Sequence, residues 1–312
     1  MDPQYGDLRT VVGSAGVVQA GLFRCPREHP LFRDSGPTRN FVVAFPRTSG
    51  CVVPEGRSPL FVSPEVAPLY NRGQRYVRTG LNRGGDRTDW IALTDAAAVL
   101  EIVREFDPSA EERPGTPLPA TPAPVSPALY ARQRFLIEAL LRPSPPDDLA
   151  FEEEAFDIFR AVVRSACAAA GIEGPKPWGG AEAAVFVRAR MAVEESYREP
   201  GDLATIASRA GISAVHLARI FRRHSGASVH RTIMSLRLRD SLDRLRDARA
   251  DIASIALDLG FSDHSHFTAA FRRAFGITPS RARAVLSRGG WRDLRDRVRD
   301  ERRANGPRIG FS

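Results

Sequence analysis

The chain has 312 residues, 43% of them hydrophobic and 26% charged, with a net charge of +8. These values describe a globular protein with room for two or three cores, and no apolar run approaches the ~20 residues of a membrane-spanning helix. Three scattered cysteines, Cys25, Cys51 and Cys167, make neither a disulfide framework nor a zinc pattern.

The opening "MDPQYGDLRT" lacks a signal-peptide pattern, so a reducing cytoplasm is the expected compartment. Charge is unevenly placed. Residues 1–180 carry 20 basic and 22 acidic side chains, and 181–312 carry the other 25 and 15. A near-neutral front and a basic back point to a polyanion as the partner of the C-terminal part.

Residues 1–106 form the first expected unit. From about residue 15, short apolar runs such as "NFVVAF", "PLFVS" and "DWIALT" are cut by Gly, Pro, Asn and Asp, which predicts a small antiparallel β-barrel or sandwich. Phe41, Phe45, Tyr70, Tyr76 and Trp90 are candidates to line an effector pocket, with Arg75 or Arg78 as polar handle; plain barrel core is the alternative role. The front half holds one histidine, His29, too few for a metal-binding barrel. No catalytic triad or phosphate loop stands out. No metal, cofactor or enzymatic activity is expected.

Residues 107–127 contain seven prolines and predict an extended linker with little to bury. Residues 128–172 carry two helical patterns. Leu129, Phe135, Leu136 and Leu140 mark one face, and Phe151, Phe156, Phe159 and Val163 the other stripe. Such a pair can pack within the chain or against a second copy.

From 181 to 287 the chain reads as all-helical, and it repeats itself. "DLATIASRAGIS" (202–213) matches "DIASIALDLGFS" (251–262), and "HLARIFRRHSG" (216–226) matches "HFTAAFRRAFG" (266–276). In each copy an Asp caps a short helix, a Gly ends it, and a second helix follows over about 213–225 or 263–275. Helix, tight turn and helix predict a helix-turn-helix. Leu217, Ile220 and Phe221, and likewise Phe267, Ala270 and Phe271, should be core. Between the units, residues 228–247 predict a helix of ~30 Å at ~1.5 Å per residue, close to the ~34 Å between major grooves on one face of DNA. Its expected interior is Ile233, Leu236, Leu238, Leu242 and Leu245. Residues 288–312 form a basic tail, with Trp291, Leu294 and Val298 at helical spacing.

Residues 181–287 resemble the DNA-binding region of the AraC/XylS family of bacterial transcription regulators, through "LATIASRAGISAVHLARIFRRHSG", "LRLRDSLDRL" and "DIASIALDLGFSDHSHFTAAFRRAFGITPSRAR". The front half resembles, more loosely, that family's cupin-like sensing domains. The resemblance implies that Val215, Ala218 and Arg219, and Ser265, His266 and Ala269, face DNA bases, Arg219 being the best single reader. Arg222, Arg223, Arg272 and Arg273 fit phosphate contacts, with Ser213 and His264 as further backbone contacts. Ala218 and Ala269 are short where family members often carry longer side chains. The implied partners are promoter or operator DNA, RNA polymerase, a small-molecule effector and a second copy of the chain. The alternative is a DNA-associated co-regulator with weak base specificity.

Overall fold

The computed structural model describes residues 8–57, 59–80, 85–170, 180–199 and 201–288. The tail beyond Arg288 lies outside them. Strands β1 (Arg9–Ala15), β2 (Val18–Cys25), β3 (Phe41–Pro46), β7 (Leu69–Tyr70) and β9 (Asp86–Leu93) make an antiparallel sheet in the order β1-β2-β9-β3-β7. A second sheet has the order β5-β4-β8, from Leu60–Val62, Gly50–Pro54 and Tyr76–Gly80.

The two sheets do not close into the expected barrel. The segments that would join them, β5, β6 (Val66–Ala67) and β7, are two or three residues long. They are interrupted by Pro64 and Pro68, which have no N–H to give a ladder. The result is an open pair of antiparallel sheets around a cavity. β3 is buried on both faces. Phe41, Val43 and Phe45 enter the main core, and Val42 and Ala44 pack with Trp90 and Tyr70 on the cavity side, as the period of two requires.

The β-rich unit ends in a helix that the sequence reading did not anticipate, α1 (Ala96–Arg104), whose N-cap Asp95 accepts from the Ala97 N–H. The proline-rich stretch differs more. Instead of an extended linker it makes a 3-10 turn at Pro108–Glu112 and a strand, β10 (Ala123–Pro124), paired with β6. Its few apolar residues, Ala110, Leu118, Ala123 and Val125, are buried. The Asn71 side chain clamps Leu118 from both sides, accepting from its N–H at 2.9 Å and donating to its carbonyl at 3.0 Å.

Helices α2 (Pro127–Leu140) and α3 (Asp148–Ala170) follow, then α4 (Gly180–Ser196), α5 (Leu203–Arg209), α6 (Ala214–Ser225), α7 (Val229–Arg244), α8 (Ile252–Asp258), α9 (His264–Phe275) and α10 (Pro279–Arg288). Every residue of α2 from Leu129 to Leu140 is buried, because β1, α3, α7, α9 and α10 all pack on it. The expected single stripe is therefore a fully enclosed helix. Helix α7 has 16 residues, about 24 Å at ~1.5 Å each, shorter than the strut expected. Leu236, Leu238 and Leu242 on it are buried, as is Leu245 just beyond, while Ile233 is half-buried.

Enclosing α2 buries charge, and each charge is paired. The Arg134 guanidinium meets Asp89 of β9 at 2.6 Å, Asp243 of α7 at 3.2 Å, and Glu138 one turn on. Burial works against this cation, but Asp89 and Asp243 outweigh it and raise its pKa. Burial likewise opposes the Asp89 carboxylate, yet Arg134, Arg47 and Arg24 hold its pKa below the usual range. Arg132 pairs with Glu154 of α3 at 2.9 Å.

A second polar contact joins the sheet unit to the C-terminal helices. Glu65, before β6, accepts from Arg190 of α4 at 3.1 Å, and from Arg239 and Ser235 of α7 at 2.6 and 3.0 Å. Burial raises its pKa, but the two arginines and the Ser63 and Ser235 hydroxyls bring it down to about 2. Beside it, Phe61 of β5 meets Phe186 of α4 edge-on at 5.3 Å.

Hydrophobic packing forms one large core, a separate one, and a small cluster beside the cavity around Trp90 and Tyr70. Sheet, α1–α3 and the second helix-turn-helix share the first, down to Leu286. The first helix-turn-helix packs with α4 around Phe186, Leu217, Ile220 and Phe221.

Arg134→Met should destabilise the fold by about 3–5 kcal/mol in urea melts, because the buried Asp89 and Glu138 lose the buried cation between them and Asp89 keeps only Arg24. Glu65 gives the stability a pH dependence of known sign. Its folded pKa is depressed, so its contribution is full above the usual carboxylate value and fades as pH falls from 4.5 toward 2. Urea midpoints of Glu65→Gln should be lower than wild type at pH 7, and the difference should shrink across that window.

Candidate nucleic-acid interface

Each helix-turn-helix is built by local chemistry at its turns. Asp202 caps α5 through the Thr205 N–H (2.8 Å), and Asp251 caps α8 through Ser254 (2.9 Å). Gly211 and Gly260, at φ +69° and +79°, turn the chain in the left-handed region, where a β-carbon is strained. The second turn is one residue longer, Leu259–Asp263 against Ala210–Ser213, before α9 and α6 begin. Ser213 caps α6 and Asp263 caps α9, each accepting from an N–H three residues on.

The buried faces of α6 and α9 are as the repeat predicts: Leu217, Ile220 and Phe221 in one, Phe267, Ala270, Phe271 and Phe275 in the other. In α9 the rings stack edge to face, Phe267–Phe271 at 5.6 Å and Phe271–Phe275 at 4.6 Å. Such rings fix the helix about its axis.

The opposite faces lie open. Val215 is 80% exposed, and Arg219 and Arg222 are exposed beside it, with Ala218 half-buried at the edge. On α9, His264, Ser265, Thr268, Ala269, Arg272 and Arg273 line one shallow surface hollow. Arg219, Arg222, Arg272 and Arg273 have no carboxylate partner among the described residues. Arg223 differs from them, since it pairs with Glu182 of α4 at 3.0 Å. His266 is outside the hollow; its Nδ1 is 3.1 Å from the Ser262 hydroxyl and its ring is edge-on to Phe261. Thr268, absent from the sequence-based set, takes the place beside Ser265.

One residue that periodicity did not mark ties the two units together. Arg237 of α7 donates through Nε to the Tyr197 carbonyl at 2.6 Å and through the other nitrogens to Gly260 and Glu199. Tyr197 and Glu199 follow α4, beneath the first unit, and Gly260 is the turn of the second. A β-carbon at Gly260 would meet this guanidinium at 2.6 Å, so the glycine also makes room for the bridge.

The sheet unit encloses a cavity of about 500 Å3. Tyr70, Tyr76 and Trp90 line it as expected, whereas Phe41 and Phe45 turn to the main core. Of the two expected handles, Arg75 is exposed outside it. Arg78 is inside, bound to Asp86 at 2.7 Å and to the Tyr76 hydroxyl at 2.5 Å.

Residues 206–284 match a family model described as a helix-turn-helix domain. The transcriptional regulator GlxA of Rhizobium meliloti is 37% identical over 91 residues, 29% of this chain and 28% of its own length. The transcriptional activator RhaS of Pectobacterium carotovorum is 28% identical over 145 residues, 46% of this chain and 50% of its own. The chain thus spans half or less of the length of these two curated relatives. A solved AraC-type regulator structure from Chromobacterium violaceum is 30% identical, covering 34% of this chain and 96% of that one, with a TM-score of 0.32.

The C-terminal helices are thus a DNA-binding module of the double helix-turn-helix class. Over this region the chain is similar to curated transcription regulators, GlxA and RhaS among them. Arg237→Met should lower the urea stability of the protein by about 1–3 kcal/mol, since three carbonyls lose a charged donor.

Proposed function

We propose that the chain is a transcription regulator that binds specific DNA by setting α6 and α9 into successive major grooves. One observation carries this reading: two repeated units each present an exposed face with two arginines, Arg219 and Arg222 or Arg272 and Arg273, that have no carboxylate partner among the described residues. Arg219 sits where it can donate two hydrogen bonds to a guanine edge, and Val215 offers an apolar contact for a thymine methyl. Arg222, Arg272 and Arg273 reach for phosphates; Arg223 does so only by leaving Glu182. On α9 the readable face is Ser265, Thr268 and Ala269, with His266 held to one side by Ser262.

The cavity between the sheets is the place for a small-molecule effector, and its occupancy reaches the DNA-binding helices through Glu65 and Arg134. RNA polymerase and a second copy of the chain are the further partners of this reading. Helix α2 is covered within the chain, so α3 and the exposed Leu141 and Leu149 are the faces left for a second copy. The co-regulator reading is favoured by the two short residues, Ala218 and Ala269.

Selection of bound duplexes from a random pool decides between the readings. Two half-sites about one helical turn apart are expected; equal affinity for selected and random DNA would leave the co-regulator. Arg219→Ala should cost about 1–3 kcal/mol on the selected site and relax one base preference. Arg272→Ala should weaken all sequences alike and lower the salt slope by about 1.

A further inference from the structure

The two helix-turn-helix units have no hydrophobic core in common, since the first packs around Phe186 and Phe221 and the second belongs to the main core. Helix α7 passes from one to the other. Its Val229 and Leu236 belong to the first core, and Leu238, Leu242 and the following Leu245 to the main one. Arg237 stands between Leu236 and Leu238, where the helix changes cores. Two units with separate cores move relative to one another unless something besides the connecting helix joins them.

Arg237 makes that join through backbone. Its Nε donates to the Tyr197 carbonyl at 2.6 Å and one terminal nitrogen to the Glu199 carbonyl at 3.3 Å, both on the segment that leads from α4 into α5. The other terminal nitrogen donates to the Gly260 carbonyl, in the turn of the second unit. Asp240, one turn on, holds the same segment by its side chains, accepting from the Tyr197 hydroxyl at 3.0 Å and from Arg198 at 2.9 Å. A guanidinium projects its donors in fixed directions and can span two backbone segments at once, whereas an ammonium donates from a single atom.

The repeat supplies a comparison for the second turn. Gly260 and Gly211 are equivalent positions, at φ +79° and +69°. A β-carbon at Gly211 would meet nothing within 4 Å. At Gly260 it would lie 2.6 Å from the Arg237 guanidinium and 2.7 Å from the Arg198 carbonyl oxygen. The turn of the second unit therefore lies directly against the entry segment of the first.

We propose that Arg237 is a positioning residue for DNA recognition: by joining Gly260 to the segment 197–199 it fixes the separation and angle of α6 and α9, and so the half-site spacing that the protein accepts. This rests on the reading of α6 and α9 as the groove-reading helices and names the residue that sets their register.

Pulsed electron-resonance distances in the full-length protein without DNA test the first part. Nitroxides are placed at Val215→Cys and Ser265→Cys, with Cys25, Cys51 and Cys167 replaced by alanine. The parent protein should give a narrow distribution and Arg237→Lys a broader one; Arg237→Gln supplies the same comparison should Arg237→Lys melt early. Gly260→Ala should shift the mean distance, while Gly211→Ala, strained alike in its backbone, should not. The second part is read from affinity for the selected duplex, for that duplex with one base pair added between the half-sites, and for a single half-site. The added base pair should weaken the wild type at least about tenfold. Arg237→Lys should lose most of that discrimination and bind the single half-site as the wild type does. Unchanged distance distributions in the Arg237 variants, equal shifts from the two glycine variants, or an unchanged spacing penalty overturns the proposal. A loss of affinity uniform over all the duplexes also overturns it, since a merely structural residue would give that. A wild type indifferent to spacing sinks the two-groove reading instead, and the distances then still decide whether Arg237 fixes the helices.

Discussion

The Arg134 guanidinium lies buried among carboxylates from three elements, β9, α2 and α7. A charge placed this deep is tolerated only when its partners are in position. The sheet, the enclosed helix and the helix between the two reading heads must therefore assemble together. Helix α7 answers with a stripe at four-residue intervals, Ser235, Arg239 and Asp243, facing Glu65, Arg134 and Arg47 of the sheet unit and α2. The same helix uses its other faces for hydrophobic packing and for Arg237. The sheet unit and the helix-turn-helix units are thus joined by polar groups of fixed geometry, which specify orientation more sharply than apolar contact does.

This arrangement leaves one face of each second helix untouched. The outer faces of α6 and α9 contact neither sheet nor helical pair, and their arginines are the cations that the interior network does not consume. Charge pairing has sorted the arginines into two populations, one bound into the interior and one without a carboxylate partner among the described residues.

Much of the C-terminal part was legible because its signals are local. Caps at Asp202, Asp251 and Ser213, glycines at 211 and 260, and the apolar spacing of Phe267 and Phe271 depend on residues within a turn or two. The front of the chain was less legible. α2 reads as amphipathic because Arg132, Arg134 and Glu138 look like a solvated face; their partners Glu154, Asp89 and Arg246 lie far along the chain. Residues 107–127 read as a linker because prolines dominate, and nothing local announces that Asn71 will clamp Leu118. The barrel failed to close for a reason visible only in register, the prolines falling between the short joining strands.

The two larger cores have a consequence for how the molecule opens. The second helix-turn-helix is part of the main core, so it comes apart only when the sheet and α2 do. The first rests on a smaller core of its own, held to the body by Glu65, Ser49–Glu194 and the Phe61–Phe186 contact. It is the smaller cooperative unit, able to exchange its amide protons while the remainder stays folded. The second unit is therefore held more stiffly than the first.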